Sequence, residues 1–271
     1  MKLKYIVAGV NENAPYIKCV PLFIDAWKSL NKNLEVRVVL FANKLPDFLL
    51  PYKDSIVLIA PIQGVSTAFC SQVVRLFYPC TLPNDGAALI SDIDLLPLNI
   101  SYFTDALNAH QQDKFVTFRA DHMKKHKRPE VVMCYNAAFP SIWSSIFGVT
   151  TISQMLEKLS LLHSKIEYED KHNGKGWRTD QRVLYQLLKA WPAKVKQHVE
   201  CSDAELNFSR MNSGDIDIDA ACRFIRQQGV VDIHLNKASL FSPNKELSQH
   251  YAQRVNKYLE AAKTPLSNKQ E

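Results

Sequence analysis

Over its first 94 residues the chain alternates short apolar runs with segments of helical periodicity. The apolar runs are residues 2–10, 34–42, 55–61 and 86–94, and helices are predicted at 14–30 and 66–78. Pro21 is expected to kink or restart the first helix, and Ser66 or Thr67 to cap the second. Because no short hairpin turns join the runs, they predict an α/β fold with a mainly parallel sheet flanked by helices, whose ligands bind beyond the carboxyl ends of the strands.

The rest of the chain has a less regular pattern. Strands are predicted at 114–120, 131–139 and 229–237, and helices at 141–148, 151–166 and 179–191, the last with Thr179 as its cap. Near the end, one helical face collects Leu247, Tyr251, Val255, Tyr258 and Leu259. With 271 residues and 46% hydrophobic content, the chain fits one large domain. We expect that domain at 1–240, its C-terminal helix at 241–263 and a disordered tail at 264–271.

Composition excludes several protein classes. The N-terminal segment turns polar after a short apolar run, unlike a signal peptide, and no stretch approaches the roughly 20 apolar residues of a membrane span. Six cysteines without a CxxC pair argue against a zinc site or a disulfide framework, so a cytoplasmic protein is expected. The net charge of +6 favours acidic partners. The basic loop 124–128 lacks interleaved aromatics, which argues against nucleic acid; it is either a solvated loop or a weak contact with an anionic membrane surface.

The stretch "ALISDIDLLPL" ends a predicted buried strand with Asp92 and Asp94. Two carboxylates flanking one residue can both reach a hard divalent cation, which in turn can bridge phosphate oxygens. The alternative is a pair of turn and capping residues, since aspartate favours both places. A second run with the same spacing, from Asp215 to Asp219, lies in polar surroundings and is interpreted as surface.

The segment "SQVVRLFYPCTLPNDGAALISDIDLLPL" resembles the nucleotide-sugar glycosyltransferases of the GT-A fold, particularly family 8, which carry a helix with an arginine and then a strand ending in DxD. Four further segments are similar to segments of that family in their order and spacing: "YIVAGVNENAPYIKCVPLFIDAWKSL", "CYNAAF", "RTDQRVLY" and "DIHLNK". The segments "PLFIDAWKSL" and "SDIDLLPL" are also similar to GT-A transferases of large algal viruses that build rhamnose-containing glycans. The chain departs from family 8 after the first strand, at Gly9 and Val10, and at Ala138, where a glycine is usual.

The resemblance implies a Rossmann-like GT-A domain and a set of site residues. It implies that Mn²⁺ or Mg²⁺ is bound by Asp92, Asp94 and His234. It implies that the nucleotide-sugar donor is bound by Val10, Asn11, Arg75, Asp92, Ile93 and Lys237, and that the catalytic residues in the sugar pocket are Asn136, Asp180 and Gln181.

Each of these residues has an ordinary structural alternative. Arg75 alone on a helix is commonly a solvated charge, and His234 on a strand is commonly a hydrogen-bonded core residue. Asp180 suits the first turn of a helix, where the helix dipole favours an acid. Trp143 and Trp177 are either acceptor-stacking rings or core residues.

The sequence therefore predicts a metal-dependent transferase that moves a sugar from a nucleotide-diphosphate donor, UDP-linked by preference, to a hydroxyl of a glycan or lipid-linked acceptor. The family 8 resemblance favours retention of configuration over inversion. Two alternatives remain: a catalytically degenerate protein that binds nucleotide-sugar or glycan, and a metal-dependent phosphohydrolase that uses the DxD aspartates.

Overall fold

The computed structural model describes residues 1–121, 129–171, 173–206, 208–212, 218–227, 229–243 and 245–264. Within these residues the strands are β1 (Leu3–Asn11), β2 (Glu35–Phe41), β3 (Ile56–Ile59), β4 (Ala87–Ser91), β5 (Leu95–Pro97), β6 (Phe115–Phe118), β7 (Tyr135–Ala138), β8 (His198–Cys201), β9 (Ser209–Asn212) and β10 (Val230–His234). The central sheet has the order β3-β2-β1-β4-β7-β6-β8, and a smaller sheet has the order β5-β10-β9.

The central sheet is mainly parallel. β1 pairs in parallel with β2 and β4, β2 with β3, and β6 with β8, while β7 is antiparallel to both of its neighbours. The predicted α/β class with helices flanking a mainly parallel sheet is therefore confirmed. The sequence patterns did not predict β5, β8 or β9. The last two, with the sequences HVEC and SRMN, lack an apolar run, and β5 has only three residues.

Helices cover both faces of the sheet. They are α1 (Ala14–Ile17), α2 (Val20–Leu30), α3 (Thr67–Phe77), α4 (Ser101–Asn108), α5 (Pro140–Phe147), α6 (Ile152–His163), α7 (Thr179–Ala190), α8 (Lys194–Gln197), α9 (Ile218–Arg226), α10 (Lys237–Leu240) and α11 (Lys245–Lys263). Successive side chains of β1 enter opposite layers, with Ile6 and Ala8 in one apolar cluster and Tyr5 and Val7 in the other. Because both faces are covered, β1 is continuously apolar from Tyr5 to Val10 rather than alternating.

Helix boundaries agree with the sequence in some places and differ in others. The predicted helix at 14–30 is two helices, and Pro21 lies in the first turn of the second, where its missing N–H costs nothing. The Ser66 hydroxyl caps α3 by accepting a hydrogen bond from the Phe69 amide at 3.3 Å. The prediction for Thr179 was wrong: it is the first residue of α7, and its hydroxyl instead donates to the carbonyl of Gly176 at 2.6 Å.

The C-terminal helix α11 packs onto the domain through Tyr251, Val255 and Tyr258, which are buried. It begins at Lys245 rather than at 241. Leu247, expected on the same face, is 46% exposed, because it lies in the first turn, before the helix meets the core. Residues 265–271 of the expected tail lie outside the described residues.

Two findings concern the protein classes considered above. Among the residues that the structure describes, no helix combines the length and apolarity needed to cross a bilayer. All six cysteines are buried as free thiols. The basic loop 124–128 lies outside the described residues.

Candidate functional site

A cavity of about 1300 Å³ opens at the carboxyl edge of the central sheet. Asn11, the last residue of β1, and Asp92, which directly follows β4, both line it, and β1 and β4 are neighbouring parallel strands. His234, the last residue of β10, lines the same cavity. The fold therefore brings together residues that are far apart in the sequence, at the edge where parallel sheets bind their ligands.

Helix α3 approaches β1 closely, and this approach positions its polar face over the cavity. A Cβ atom on Gly9 would overlap the carbonyl oxygen of Ser71, so this contact requires glycine. Ser71, Gln72 and Arg75 line the cavity, as their spacing on one helical face predicts. The close contact of helix and strand therefore determines where the Arg75 guanidinium lies.

We use the term carboxylate cluster for Asp92, Asp94 and Asp180 together with the basic residues that contact them, Arg75, Lys237 and His234. In this cluster Arg75 bridges two acids, with Nη1 binding Oδ1 of Asp92 and Nη2 lying 2.6 Å from Oδ2 of Asp180. Burial acts to lower the pKa of Arg75, but the charges of the two aspartates outweigh burial and raise it. Arg75 is thus a permanent buried cation that joins the DxD segment to α7.

Asp94 is held by two partners from β10 and α10. Its Oδ2 accepts a hydrogen bond from Lys237 and lies 3.3 Å from Nε2 of His234. Burial acts to raise the pKa of Asp94, but the hydrogen bond with His234 and the charge of Lys237 outweigh burial, so the pKa lies below its usual range. The Asp94 carboxylate therefore stays ionised at all physiological pH values.

Asp180 is fully buried at the start of α7. Burial raises its pKa, although Arg75 acts in the opposite direction. Its Oδ1 accepts a hydrogen bond from the backbone N–H of Gln181 at 2.8 Å, and both residues line the cavity. Asp180 is thus anchored on both oxygens, which fits a residue that orients Arg75.

Not every predicted site residue reaches the cavity. Ile93 and Lys237 line it, whereas the side chain of Val10 is 2% exposed and belongs to the core, between Gly9 and Asn11, which do line it. Asn136 is also fully buried and outside the lining.

Asn136 has an indirect connection to the cavity. Its Nδ2 donates to the carbonyl of Val132, a lining residue, at 2.7 Å. Of the two tryptophans considered for acceptor stacking, Trp143 is a core residue whose indole N–H donates to the carbonyl of Ala88, and Trp177 lines the cavity.

The three predicted metal ligands suit a hard divalent cation by their chemistry. Asp92, Asp94 and His234 supply carboxylate oxygens and an imidazole nitrogen to one cavity. Among the described residues, no three His, Cys, Asp or Glu side chains form a ready-made metal cluster. The carboxylates instead bind Arg75 and Lys237, so a cation would enter by exchanging with these protein charges.

A second group of charges in the cavity wall was not predicted from the sequence. We use the term arginine cluster for Arg119 and Arg210, which line the cavity, together with Asp203 and Asp232, which contact them. Arg210 binds Asp232 through Nε at 2.7 Å and Nη2 at 2.9 Å, and Nη2 of Arg119 lies 2.9 Å from Oδ2 of Asp203. The four residues come from distant segments, and no local pattern marks them.

Tyr16 is a further lining residue that the sequence prediction missed. It lies in α1, and the ammonium group of Lys237 sits 4.6 Å from the centre of its ring. A cation over an aromatic face is favourable, and this contact helps to hold Lys237 beside Asp94. The available signal was an aromatic residue shortly after the first strand.

The comparisons with known proteins are as follows. No protein-family model matches the chain, and no curated protein sequence matches it significantly. The fold is similar to that of the glycosyltransferase GlyE of Streptococcus pneumoniae TIGR4, with a TM-score of 0.49 and 15% sequence identity. The match covers 100% of this chain and 66% of GlyE, so the chain spans just under two thirds of the length of GlyE. It is similar to the galactosyltransferase LgtC in complex with donor and acceptor sugar analogs, with a TM-score of 0.47 and 12% identity over 98% of both chains. It is also similar to a glycosyltransferase involved in glycosylation of the major capsid of PBCV-1, with a TM-score of 0.45 and 10% identity over 93% of this chain and 100% of that one.

Proposed function

We propose that the protein is a GT-A glycosyltransferase that transfers a sugar from a nucleotide-diphosphate donor, UDP-linked by preference, to a hydroxyl group of a glycan or lipid-linked acceptor. The observation that carries the proposal is the carboxylate cluster, in which both DxD aspartates lie in one cavity with Arg75, Lys237 and His234. Cations and metal-ligating groups at the end of a central parallel strand suit a diphosphate.

In the proposed reaction the site has to stabilise the nucleoside diphosphate as it leaves. The bond between the anomeric carbon and the diphosphate oxygen breaks, its electron pair stays on that oxygen, and the anomeric carbon bonds to the acceptor hydroxyl oxygen. In the retaining course that we favour, the hydroxyl proton passes to the departing diphosphate. Charge therefore grows on the diphosphate, and Arg75 and Lys237 are the protein cations proposed to stabilise it.

A divalent cation is part of the proposal. Asp92, Asp94 and His234 would hold Mn²⁺ or Mg²⁺, which supplies further neutralisation of the diphosphate when bound. Arg75 and Lys237 form ion pairs with Asp92 and Asp94, so both carboxylates already lie beside positive charge at this place.

The remaining site residues have positioning roles in the proposal. Asp180 orients Arg75, which it contacts at 2.6 Å. Gln181 lines the cavity and is proposed to contact the donor sugar, and Asn11 to contact the nucleoside. Asn136 is proposed to act through the backbone of Val132, which it fixes by a hydrogen bond, and Val10 through its backbone, since its side chain is in the core.

The test is a screen of UDP- and GDP-linked sugars for release of the nucleotide, with Mn²⁺, with Mg²⁺ and with a chelator. Catalytic release of UDP that requires the added cation supports the transferase. Thermal stabilisation by UDP-sugars without any release supports a binding protein instead. Release of inorganic phosphate rather than of UDP would overturn the proposal in favour of a phosphohydrolase.

A further inference from the structure

The cations of the arginine cluster line the cavity, and the acid is the deeper member in the Arg210–Asp232 pair but not in the Arg119–Asp203 pair, where Asp203 is 14% and Arg119 5% exposed. Arg119 and Arg210 line the cavity, and Asp203 and Asp232 do not. Asp232 is fully buried, and the side chain of Arg210 is 22% exposed. A ligand in the cavity therefore meets guanidinium groups first, although each has an acidic partner.

The cluster has more hydrogen-bond donors than acceptors. Arg210 uses Nε and Nη2 for Asp232, and its Nη1 has no partner in the part of the chain that the structure describes. In Arg119, Nε and Nη1 are buried without a hydrogen-bond partner among those same residues, although Nη1 lies 3.8 Å from Oδ2 of Asp232. Buried donors are almost always paired, so Arg119 lacks an acceptor that a ligand would supply.

The guanidinium groups are held in place before any ligand arrives. Asp232 accepts a hydrogen bond from the Tyr135 hydroxyl at 2.7 Å, and Asp203 accepts one from the Tyr102 hydroxyl at 2.6 Å. Arg119 has a φ of 61°, in the left-handed region that residues other than glycine rarely adopt and that functional sites tend to retain. Fixed donors of this kind lose little conformational freedom on binding.

The arginine cluster is also close to the carboxylate cluster. Asp232 and His234 are two residues apart on β10, so their side chains leave the same face of the strand about 7 Å apart. Cys134 lines the same cavity as Arg119, Arg210 and Asp92. A group bound by Arg210 thus lies near the position proposed for the donor diphosphate.

We infer that the arginine cluster is a subsite for an anionic saccharide, in which Arg210 and Arg119 bind the carboxylate or phosphate of a substrate sugar. The inference rests on the proposed function for the identity of the ligand as a substrate. The acid group has two possible sources, an acidic acceptor and an acidic sugar on the donor, and the experiment separates them.

The first arm measures binding without turnover. Isothermal titration of the full chain with D-glucuronate and with D-glucose compares an anionic with a neutral probe, in the presence and absence of UDP. We expect glucuronate to bind about 10-fold or more tightly than glucose, because a hydrogen bond to a charged group is worth that much. Glucuronate binding that UDP blocks completely overturns the subsite, because the acid would then occupy the diphosphate position.

The variants are Arg210→Ala and Arg210→Lys, with Arg37→Lys as the matched control. Arg210→Ala leaves Asp232 buried without its main counterion and is expected to lower stability, whereas Arg210→Lys keeps that ion pair and removes the free Nη1. Arg37 is a partly exposed residue on β2, outside the cavity lining, that pairs with Glu35. Arg210→Lys should weaken glucuronate binding about 10-fold, and Arg37→Lys should not change it.

The second arm identifies the source of the acid. UDP-glucuronate is compared with UDP-glucose as donor, and glucuronate-terminated with glucose-terminated oligosaccharides as acceptor. A preference for the acid in either comparison that is lost in Arg210→Lys supports the inference and names the source. The inference is overturned if the acidic and neutral sugars are turned over equally well, both as donors and as acceptors, and glucuronate and glucose bind equally tightly. If no UDP-sugar is turned over but the Arg210-dependent binding of glucuronate persists, the proposed function fails and the anion subsite stands.

Discussion

The carboxylate cluster and the arginine cluster are built from the same kinds of residue, but different members of each line the cavity. In the first cluster the acids and the basic residues all line it: Asp92, Asp94, Asp180, Arg75, Lys237 and His234. In the second cluster Arg119 and Arg210 line the cavity, and Asp203 and Asp232 do not. The first cluster therefore presents groups of both signs, which suits a cation together with its diphosphate in the function that we propose. The second presents guanidinium groups alone, which suits a second anion.

The largest expected effect tests how strongly each cluster depends on its central arginine. Arg75→Met leaves Asp180 buried without its counterion, and we expect the free energy of unfolding to fall by about 3 kcal/mol or more. Arg210→Met should lower it by less, because the Tyr135 hydroxyl still binds Asp232. Urea denaturation of both variants measures the difference. Equal losses would show that the two clusters are equally dependent on their arginines.

The next effect concerns activity. Asp92→Asn and Asp94→Asn should each reduce UDP release about 100-fold or more, because each removes a proposed carboxylate ligand of the divalent cation that neutralises the leaving diphosphate, while the fold remains intact. Asp219→Asn, in the other aspartate run of the sequence, is the control and should leave release unchanged. Circular dichroism and urea denaturation check that the variants are folded. Normal turnover of both DxD variants contradicts the assignment of the carboxylate cluster.

A smaller effect is expected from the acid behind Arg210. Asp232→Asn removes one of the two strong contacts that orient the guanidinium, so the affinity for D-glucuronate should fall several-fold. The affinity for UDP should fall less, since Asp232 contacts no residue of the carboxylate cluster among its described ion pairs. Calorimetric titration of both probes gives the two values. If Asp232→Asn lowered the affinity for UDP more than the affinity for glucuronate, the two clusters would form one anion site rather than two.

The last effect concerns stability alone and is a pH dependence at Asp94. Its pKa in the folded protein is below the ordinary value of about 3.9 for aspartate, so its ion pair stabilises the fold above that value and the stabilisation is lost as the pH falls through the folded pKa. From pH 7 to pH 5, the free energy of unfolding of the wild type should be about 2 kcal/mol larger than that of Asp94→Asn. This difference should shrink below pH 4. Urea denaturation across this range measures it. If the difference in the free energy of unfolding grew on acidification, the pKa of Asp94 would be raised in the folded protein rather than lowered.

Some parts of the site could be predicted from the sequence. Asp92 was placed at a strand end because the apolar run before it is long and distinct, and Arg75 was placed on a polar face because Ser71 and Gln72 share its helical spacing. The positions of Val10 and Asn136 could not be predicted, since both were inferred from neighbouring motifs. Whether such a side chain faces a cavity or the core depends on packing that the motif does not contain.

The α/β alternation, the burial of both faces of the sheet and the two carboxylates after a central strand can be read from residues that are neighbours in the chain. These features follow from local periodicity and from the preferences of neighbouring residues. The pairing of charges, in contrast, depends on how the chain folds. Arg75 reaches Asp180 across 105 positions, and Arg119, Asp203, Arg210 and Asp232 come together from separate strands and loops. The physical reason is that ion pairing depends on the order of strands in the sheets and on the closure of long loops, which a local pattern of residues does not encode.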